Sequence, residues 1–128
     1  MSNRDDFSKV VIGAVGKRAS YICSNPKCNN TTLCPSEKDE TKFIYLGTVA
    51  HITAAASGGA RYNASLSFDE RKSMSNAIFL CSTCAVLIDK NNGIDFTVEL
   101  LMKWKKGHEE WVTSNLNKKL NSPITIID

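Results

Sequence analysis

The chain has 128 residues, a formal net charge of +3 and an apolar fraction of 42%, which is typical of one globular domain. No apolar run reaches the roughly 18 residues needed to span a bilayer, and the polar N-terminus is unlike a secretory signal peptide. We therefore expect a single cytoplasmic domain over residues 1–120, without membrane contact, followed by a tail or linker at 121–128.

The first half of the chain predicts a helix, a loop and a strand, in that order. Residues 8–21 favour a short helix that is weakened by two glycines. Residues 23–42 are dominated by Asn, Pro, Thr, Ser and charged side chains, which indicate a loop. Residues 43–52 are rich in β-branched and aromatic side chains and predict a strand. A glycine-containing loop follows.

The second half predicts a further strand between short helices. Ser67 and Glu70 have the spacing of a capping box, so a helix should begin there. Residues 77–81 predict a second strand, and residues 81–90 turn into a short helix. This helix should end at Asn91–Gly93, where the residues favour a turn.

The last predicted element is a helix over residues 98–117, with Thr97 as its N-cap. Its apolar and aromatic residues recur at three- and four-residue steps, as expected for one inward face: Leu101, Trp104, His108 and Trp111. We expect both tryptophans and the histidine to belong to the core.

Five cysteines without a secretory signal argue against a disulfide framework. Four of them form two close pairs, Cys23 with Cys28 and Cys81 with Cys84. Zinc binds four thiolates tetrahedrally, and closed four-cysteine sites are structural. The spacing therefore predicts a structural Zn²⁺ site, with Cys34 as a spare that could replace Cys28.

The residues around these pairs resemble the HNH nuclease family, in its zinc-knuckled branch. The pattern comprises His51 in Val-Ala-His-Ile, Asn76 in Ser-Asn-Ala-Ile, and Asp89 downstream of the Cys81–Cys84 pair, within a resemblance that covers residues 17–111. It implies an α+β fold with a ββα-metal (His-Me finger) core, a structural zinc and flanking helices. Residues 96–109 are also similar to nuclease domains of bacterial antiphage effectors, in which a sensor domain accompanies the nuclease.

The resemblance also implies a role for each matching residue. His51 would be the general base that activates water, a task suited to a neutral imidazole. Asn76 would hold the neighbouring loop and orient His51. Asp89 would bind a catalytic Mg²⁺ or another divalent cation, such as Mn²⁺ or Ni²⁺.

Two basic residues are candidates for binding nucleic acid. Arg61 follows two glycines in a loop near His51 and could hold a phosphate with its planar guanidinium, although it could equally be a surface arginine. Lys105 belongs to a group of lysines near the C-terminus, which could equally form a solvated helix face.

The chain departs from the family pattern at two positions. Ala85 stands where the family has a histidine that binds the catalytic metal, and Ala50 stands where many members have another ligand. A methyl group cannot bind a metal. We hypothesise that Ala85 replaces the histidine of an active parent, so the chain is a metal-dependent DNA endonuclease domain with impaired catalysis.

Two other functions are compatible with the sequence. One is a zinc-stabilised DNA-binding module without catalysis. The other is a protein-interaction zinc domain of the RING or ribbon type, although such domains usually have their cysteine pairs closer together. For the nuclease, a homodimer would explain cleavage of both strands, and a regulatory domain outside this chain would explain its control.

Overall fold

The computed structural model describes residues 6–119, so the predicted tail at 121–128 lies outside the described residues. Within them, four α-helices surround two small antiparallel sheets, which confirms the predicted α+β class. The elements in chain order are α1 (Lys9–Arg18), β1 (Leu33–Pro35), β2 (Phe43–Tyr45), β3 (Gly47–His51), α2 (Phe68–Arg71), β4 (Ala77–Cys81), α3 (Ser82–Leu87) and α4 (Val98–Ser114).

Helix α1 confirms the helix predicted at residues 8–21, but it is shorter at its C-terminus. Ser8 caps its start by accepting a hydrogen bond from the Val11 amide. The helix stops before Ser20 and Tyr21 because both adopt positive φ angles, 53° and 54°. Tyr21 then lies over Gly16, where a Cβ atom would be only 2.7 Å from the tyrosine ring. The glycine therefore allows the chain to fold back at this point.

The loop predicted for residues 23–42 is wrong at residues 33–35, which form β1. This strand pairs with β2 so that Leu33 lies opposite Tyr45 and Pro35 opposite Phe43. Proline is tolerated here because an edge strand leaves its missing N–H group outside the ladder. The strand depends on a partner about ten residues away, and the polar local sequence gave no sign of it.

The single strand predicted at residues 43–52 is also wrong, because it is divided at Leu46 into β2 and β3. The Leu46 amide donates to the Thr32 carbonyl, and the Leu46 carbonyl accepts from the Ser82 amide, both at 2.8 Å. The chain therefore leaves one sheet and enters the other at this residue. Strand β3 then pairs antiparallel with β4, placing His51 opposite Ala77.

Strand β4 is buried on both faces, as its uninterrupted apolar sequence predicts. Ile78 and Leu80 pack in a cluster with Leu101 of α4. Ala77 and Phe79 pack on the opposite face, in a cluster that includes α1. The β3–β4 sheet is therefore covered by α1 on one side and by α3 and α4 on the other.

The predicted helix caps are confirmed. Ser67 and Glu70 form a reciprocal capping box at the start of α2. Thr97 accepts a hydrogen bond from the Leu100 amide at the start of α4. Helix α4 ends at Ser114, three residues before the predicted end.

The predicted core positions of α4 are confirmed for two of the three aromatic residues. His108 is 5% exposed, and its Nε2 lies 3.0 Å from the Ala19 carbonyl oxygen. Trp104 packs against the core cluster of α3 and β4. The prediction is wrong for Trp111, which is 39% exposed. A groove between α4 and the turn that contains Pro26 leaves this indole uncovered.

An ion pair joins α1 to α4. The Arg18 guanidinium donates to both carboxylate oxygens of Glu109, at 2.7 and 3.3 Å. The hydrogen bond from Arg18 holds the pKa of Glu109 below its usual value, although burial opposes the shift. A carboxyl with a lowered pKa stabilises the fold above its unfolded pKa of about 4.3.

We expect Arg18→Met to lower the free energy of unfolding by about 0.5–1 kcal/mol at pH 7, a small effect because Arg18 is largely exposed. The two proteins should approach the same free energy of unfolding as the pH falls below 4. The Glu109 carboxyl becomes protonated as the pH passes through its folded-state pKa, and the ion pair is then lost. Urea denaturation of both proteins between pH 7 and pH 2 measures this. A difference that is the same at every pH would assign the effect to packing instead of charge.

Candidate functional site

Four cysteines form the strongest candidate metal site among residues 6–119. The sulfurs of Cys23, Cys28, Cys81 and Cys84 all lie within 4.8 Å of one another. The Sγ atoms of Cys28 and Cys81 are 3.9 Å apart. A tetrahedral zinc with Zn–S bonds of about 2.3 Å requires sulfurs separated by about 3.8 Å. The four thiols therefore fit zinc closely, which confirms the predicted cluster as a potential metal site.

Two parts of the chain bring these cysteines together. Cys23 follows α1, and Cys28 lies in a turn closed by its own amide donating to the Asn25 carbonyl at 2.9 Å. Cys81 ends β4, and Cys84 occupies the first turn of α3. A metal here would therefore tie the segment after α1 to the centre of the fold.

Hydrogen bonds around the sulfurs also suit thiolate ligands. The Cys84 amide donates to Cys81 Sγ at 3.4 Å, and the Asn25 side chain donates to Cys84 Sγ at 3.5 Å. Such bonds reduce the excess charge of a zinc–thiolate cluster. The fifth cysteine, Cys34, is exposed on β1 and lies outside the cluster.

Burial alone works against ionised thiols at this site. It raises the pKa of the Cys23 thiol strongly and that of Cys84 to about 11. Burial also acts to raise the pKa of Cys81, but hydrogen bonds from the Cys84 amide and the neighbouring thiols outweigh it, and that pKa is lowered. Four clustered thiolates, two of them buried at Cys23 and Cys84, need a cation to balance their charge.

A separate cavity of about 210 Å³ brings together four of the other positions singled out in the sequence. It is lined by Ala50 and His51 of β3, by Ala85 of α3, and by Asp89 just after that helix. Asp89 lies two residues beyond the last residue of α3, Leu87, and lines the cavity together with Ala85. The predicted general base, the predicted metal ligand and the two alanines that depart from the family pattern thus line a single cavity.

Asn76 supports the loop that follows His51. Its side chain accepts from the Thr53 amide at 2.8 Å and donates to the Thr53 carbonyl at 3.0 Å. The same amide group donates to the Arg71 carbonyl at 2.8 Å. Asn76 is 6% exposed, so these bonds are shielded from water. It therefore fixes the backbone two residues beyond His51.

The His51 ring has a neighbour that the sequence did not reveal. Phe7 stacks on it with ring centroids 3.9 Å apart and an interplanar angle of 15°. Phe7 precedes α1 and is 9% exposed. The contact joins residues 44 positions apart, so no local pattern could have predicted it. The stacking restricts rotation of the imidazole at the cavity wall.

Arg61 has protein partners in place of the predicted phosphate. Its Nε donates to the Ile52 carbonyl at 2.6 Å, and one terminal nitrogen donates to the Ile88 carbonyl at 2.8 Å. The other terminal nitrogen donates to Asp89 Oδ1 at 2.8 Å. The Arg61 side chain is only 6% exposed. We therefore assign Arg61 to holding the cavity wall and leave it out of the proposed DNA contacts.

This arrangement makes Arg61 important for stability. We expect Arg61→Leu to lower the free energy of unfolding by about 2–3 kcal/mol, because buried carbonyls lose a charged donor. Thermal unfolding followed by circular dichroism measures the loss. Arg71→Leu is a comparison, because the Arg71 guanidinium donates hydrogen bonds to the Tyr62 hydroxyl and the Asn63 carbonyl, next to Arg61 in the sequence. An unchanged melting temperature for Arg61→Leu would show that its hydrogen bonds do not stabilise the folded state.

Lys105 is likewise occupied within the protein. Its Nζ donates to the carbonyls of Met74 at 2.9 Å and Ala77 at 2.6 Å, and lies 3.9 Å from a Glu109 oxygen. Burial lowers the pKa of this amine. Lys105 therefore anchors α4 to the start of β4, and we leave it out of the proposed DNA contacts as well.

Comparison with known proteins adds no family assignment. No protein-family model matches the chain, and no curated protein shows significant similarity to it. None of the helices within residues 6–119 combines the length and apolar character needed to cross a membrane. The cytoplasmic location stays a prediction.

Proposed function

We propose that this chain is a metal-dependent endonuclease domain of the HNH type that hydrolyses DNA phosphodiester bonds, and that Ala85 impairs it. One observation carries the proposal: His51, Ala85 and Asp89 line a single cavity at the β3–β4 strand pair and α3. Two antiparallel strands followed by a helix are the arrangement that the proposed ββα-metal core requires. The nearby four-cysteine cluster supports the same proposal.

In the proposed reaction, His51 accepts a proton from water as the oxygen attacks phosphorus. The phosphorus–oxygen bond to the leaving strand then breaks, and the leaving oxygen takes up a proton from solvent. Phe7 keeps the imidazole in place by stacking. Asn76 holds the backbone beyond His51, which limits movement of the base relative to the cavity.

Asp89 is the proposed ligand of a catalytic divalent cation. Its side chain is 57% exposed and lines the cavity, while one of its oxygens is bonded to Arg61. Such a cation, with Mg²⁺ as the best match to oxygen ligands, polarises the phosphate and stabilises the leaving oxygen when bound. Asp89 alone is a weak site, because Ala85 and Ala50 offer no ligand atoms.

The test is cleavage of supercoiled plasmid DNA in Mg²⁺ or Mn²⁺ by the protein and by the Ala85→His variant. We expect the variant to cut and the unmodified protein to cut far more slowly. The control is Ala85→His combined with His51→Ala, which restores the ligand but removes the base. Cleavage that persists in the double variant would contradict the proposed role of His51.

A zinc-stabilised DNA-binding module without catalysis is the second candidate function. It is favoured by the ion pair between Asp89 and the buried Arg61, because the carboxylate proposed to bind the metal already has a cationic partner. This candidate predicts salt-sensitive DNA binding without cleavage, even in the Ala85→His variant.

A further inference from the structure

A groove of about 420 Å³ lies between α4 and the turn after Cys23, and it is distinct from the cavity at His51. Two indoles, Trp104 and Trp111, line it from α4. They are seven residues apart, so they lie on one face of the helix, separated by a rise of about 10.5 Å. Trp111 is 39% exposed and stacks on His108 with ring centroids 5.6 Å apart.

The helix face between the two indoles is open at Gly107. A Cβ atom at Gly107 would meet nothing within 4 Å. Glycine inside a helix costs about 1 kcal/mol relative to alanine. Gly107 therefore weakens the helix, but it leaves open space in the groove that the two indoles line. A planar ring could occupy this space.

Two polar side chains, Ser24 and His108, line the groove beside the indoles. Ser24 is 4% exposed and lines the groove. His108 also lines the groove, and its Nε2 must be protonated to donate to the Ala19 carbonyl. In the neutral ring this leaves Nδ1 as an acceptor. The Ser24 hydroxyl and the His108 ring, beside the exposed indole of Trp111, suit the edge and face of a nucleobase.

The charge around the groove favours a strand over a single small molecule. Lys103 lines the groove, and residues 103–119 carry four exposed lysines against one exposed acid, Glu110. The lysines extend from the groove past the end of α4: Lys103, Lys106, Lys118 and Lys119. Such a spread can contact several successive phosphates, whereas a free nucleotide offers only one such position.

We propose that this groove binds an unpaired nucleotide of a DNA strand by stacking its base on Trp111 beside Trp104. The inference rests on the proposed function, since it names single-stranded DNA, or duplex with an unpaired segment, as the preferred ligand. Aromatic stacking contributes about 1–3 kcal/mol per base, which corresponds to roughly 5- to 150-fold in affinity.

The experiment measures the affinity of the purified protein for a fluorescently labelled oligothymidylate of about ten nucleotides, by anisotropy. A fully paired duplex of the same length and free thymidine monophosphate serve as competitors. We expect the unlabelled single strand to compete at least about tenfold better than either. Equal competition by the monophosphate would overturn the assignment to a strand, and equal competition by the duplex would overturn the unpaired-base site.

The key variant is Gly107→Leu, which fills the groove while improving helix propensity, so it should not unfold the protein. We expect it to weaken single-strand binding at least about tenfold, with a melting temperature that does not fall. Gly13→Leu on α1 is the matched control, because a Cβ atom there also meets nothing within 4 Å. Trp111→Ala should weaken binding similarly, and Trp111→Phe should restore most of it.

Unchanged binding in Gly107→Leu and Trp111→Ala, or no single-strand binding by the unmodified protein, would overturn the inference. Neither result bears on the proposed function, because plasmid cleavage by Ala85→His is measured on duplex DNA. The two proposals can also fail the other way round. If Ala85→His does not cut plasmid DNA but the groove variants weaken single-strand binding, the groove proposal stands and the nuclease proposal is rejected.

Discussion

Cys84→Ser is expected to unfold the domain at room temperature. Zinc binding to a four-cysteine site supplies roughly 10–16 kcal/mol in small zinc-dependent peptides. The total stability of a domain is only about 5–15 kcal/mol. Cys84 is buried in the same core cluster as Cys23, Ile78 and Leu80, so the site and the apolar core form one unit.

The matched control is Cys34→Ser, because Cys34 is exposed and lies outside the cluster. We expect this variant to bind zinc as the unmodified protein does, and to keep the same circular dichroism spectrum and melting temperature. Zinc content is measured by atomic absorption on the same samples. A zinc chelator should unfold the unmodified protein as Cys84→Ser does. A Cys84→Ser protein that binds no zinc and melts at the unchanged temperature would show that zinc is dispensable for folding.

Features with local signals were predicted well from the sequence. The cysteine pairs have spacings that suit one ion, and their sulfurs lie together in the structure. The caps at Ser67 and Thr97 depend on hydrogen bonds over three residues, so residue type and spacing were sufficient. Strand β4 was visible because it is buried on both faces and is apolar throughout.

Features set by distant partners were missed. Strand β1 exists only because β2 pairs with it. Arg61 looked like a loop residue facing solvent, but three backbone carbonyls from distant segments enclose its guanidinium. Trp111 has the spacing of the inward-facing residues of α4, but the groove between α4 and the turn that contains Pro26 leaves its indole exposed. In each case the environment is created by folding and leaves no trace in neighbouring residues.

The candidate active site combines both kinds of feature. The motif positions His51, Ala85 and Asp89 were chosen from the sequence, and all three line one cavity. Their supports, Phe7 stacked on the imidazole and Arg61 paired with Asp89, required the structure. The residues of the cavity could therefore be predicted from the sequence, whereas the contacts that restrain them could not.

Ala85→His is expected to raise the rate of metal-dependent DNA cleavage by at least about a hundredfold. Loss of groups that only support a metal ligand already costs about 10- to 100-fold, and position 85 would supply a ligand itself. The new imidazole would line the same cavity as His51 and Asp89. Two ligands at one cavity could then hold the cation.

Metal binding by the Ala85→His variant gives a readout independent of cleavage. Calorimetric titration of Mn²⁺ into the zinc-loaded Ala85→His variant should show one binding site more than the unmodified protein has. Adding Asp89→Ala to this variant should remove that site. Ala85→Leu is the matched control, because it fills the same space without a ligand atom, and it should neither bind Mn²⁺ nor cut. If Ala85→His binds Mn²⁺ but does not cut DNA, the metal site stands and the nuclease proposal is rejected. If it does neither, the non-catalytic DNA-binding module is the better account of this cavity.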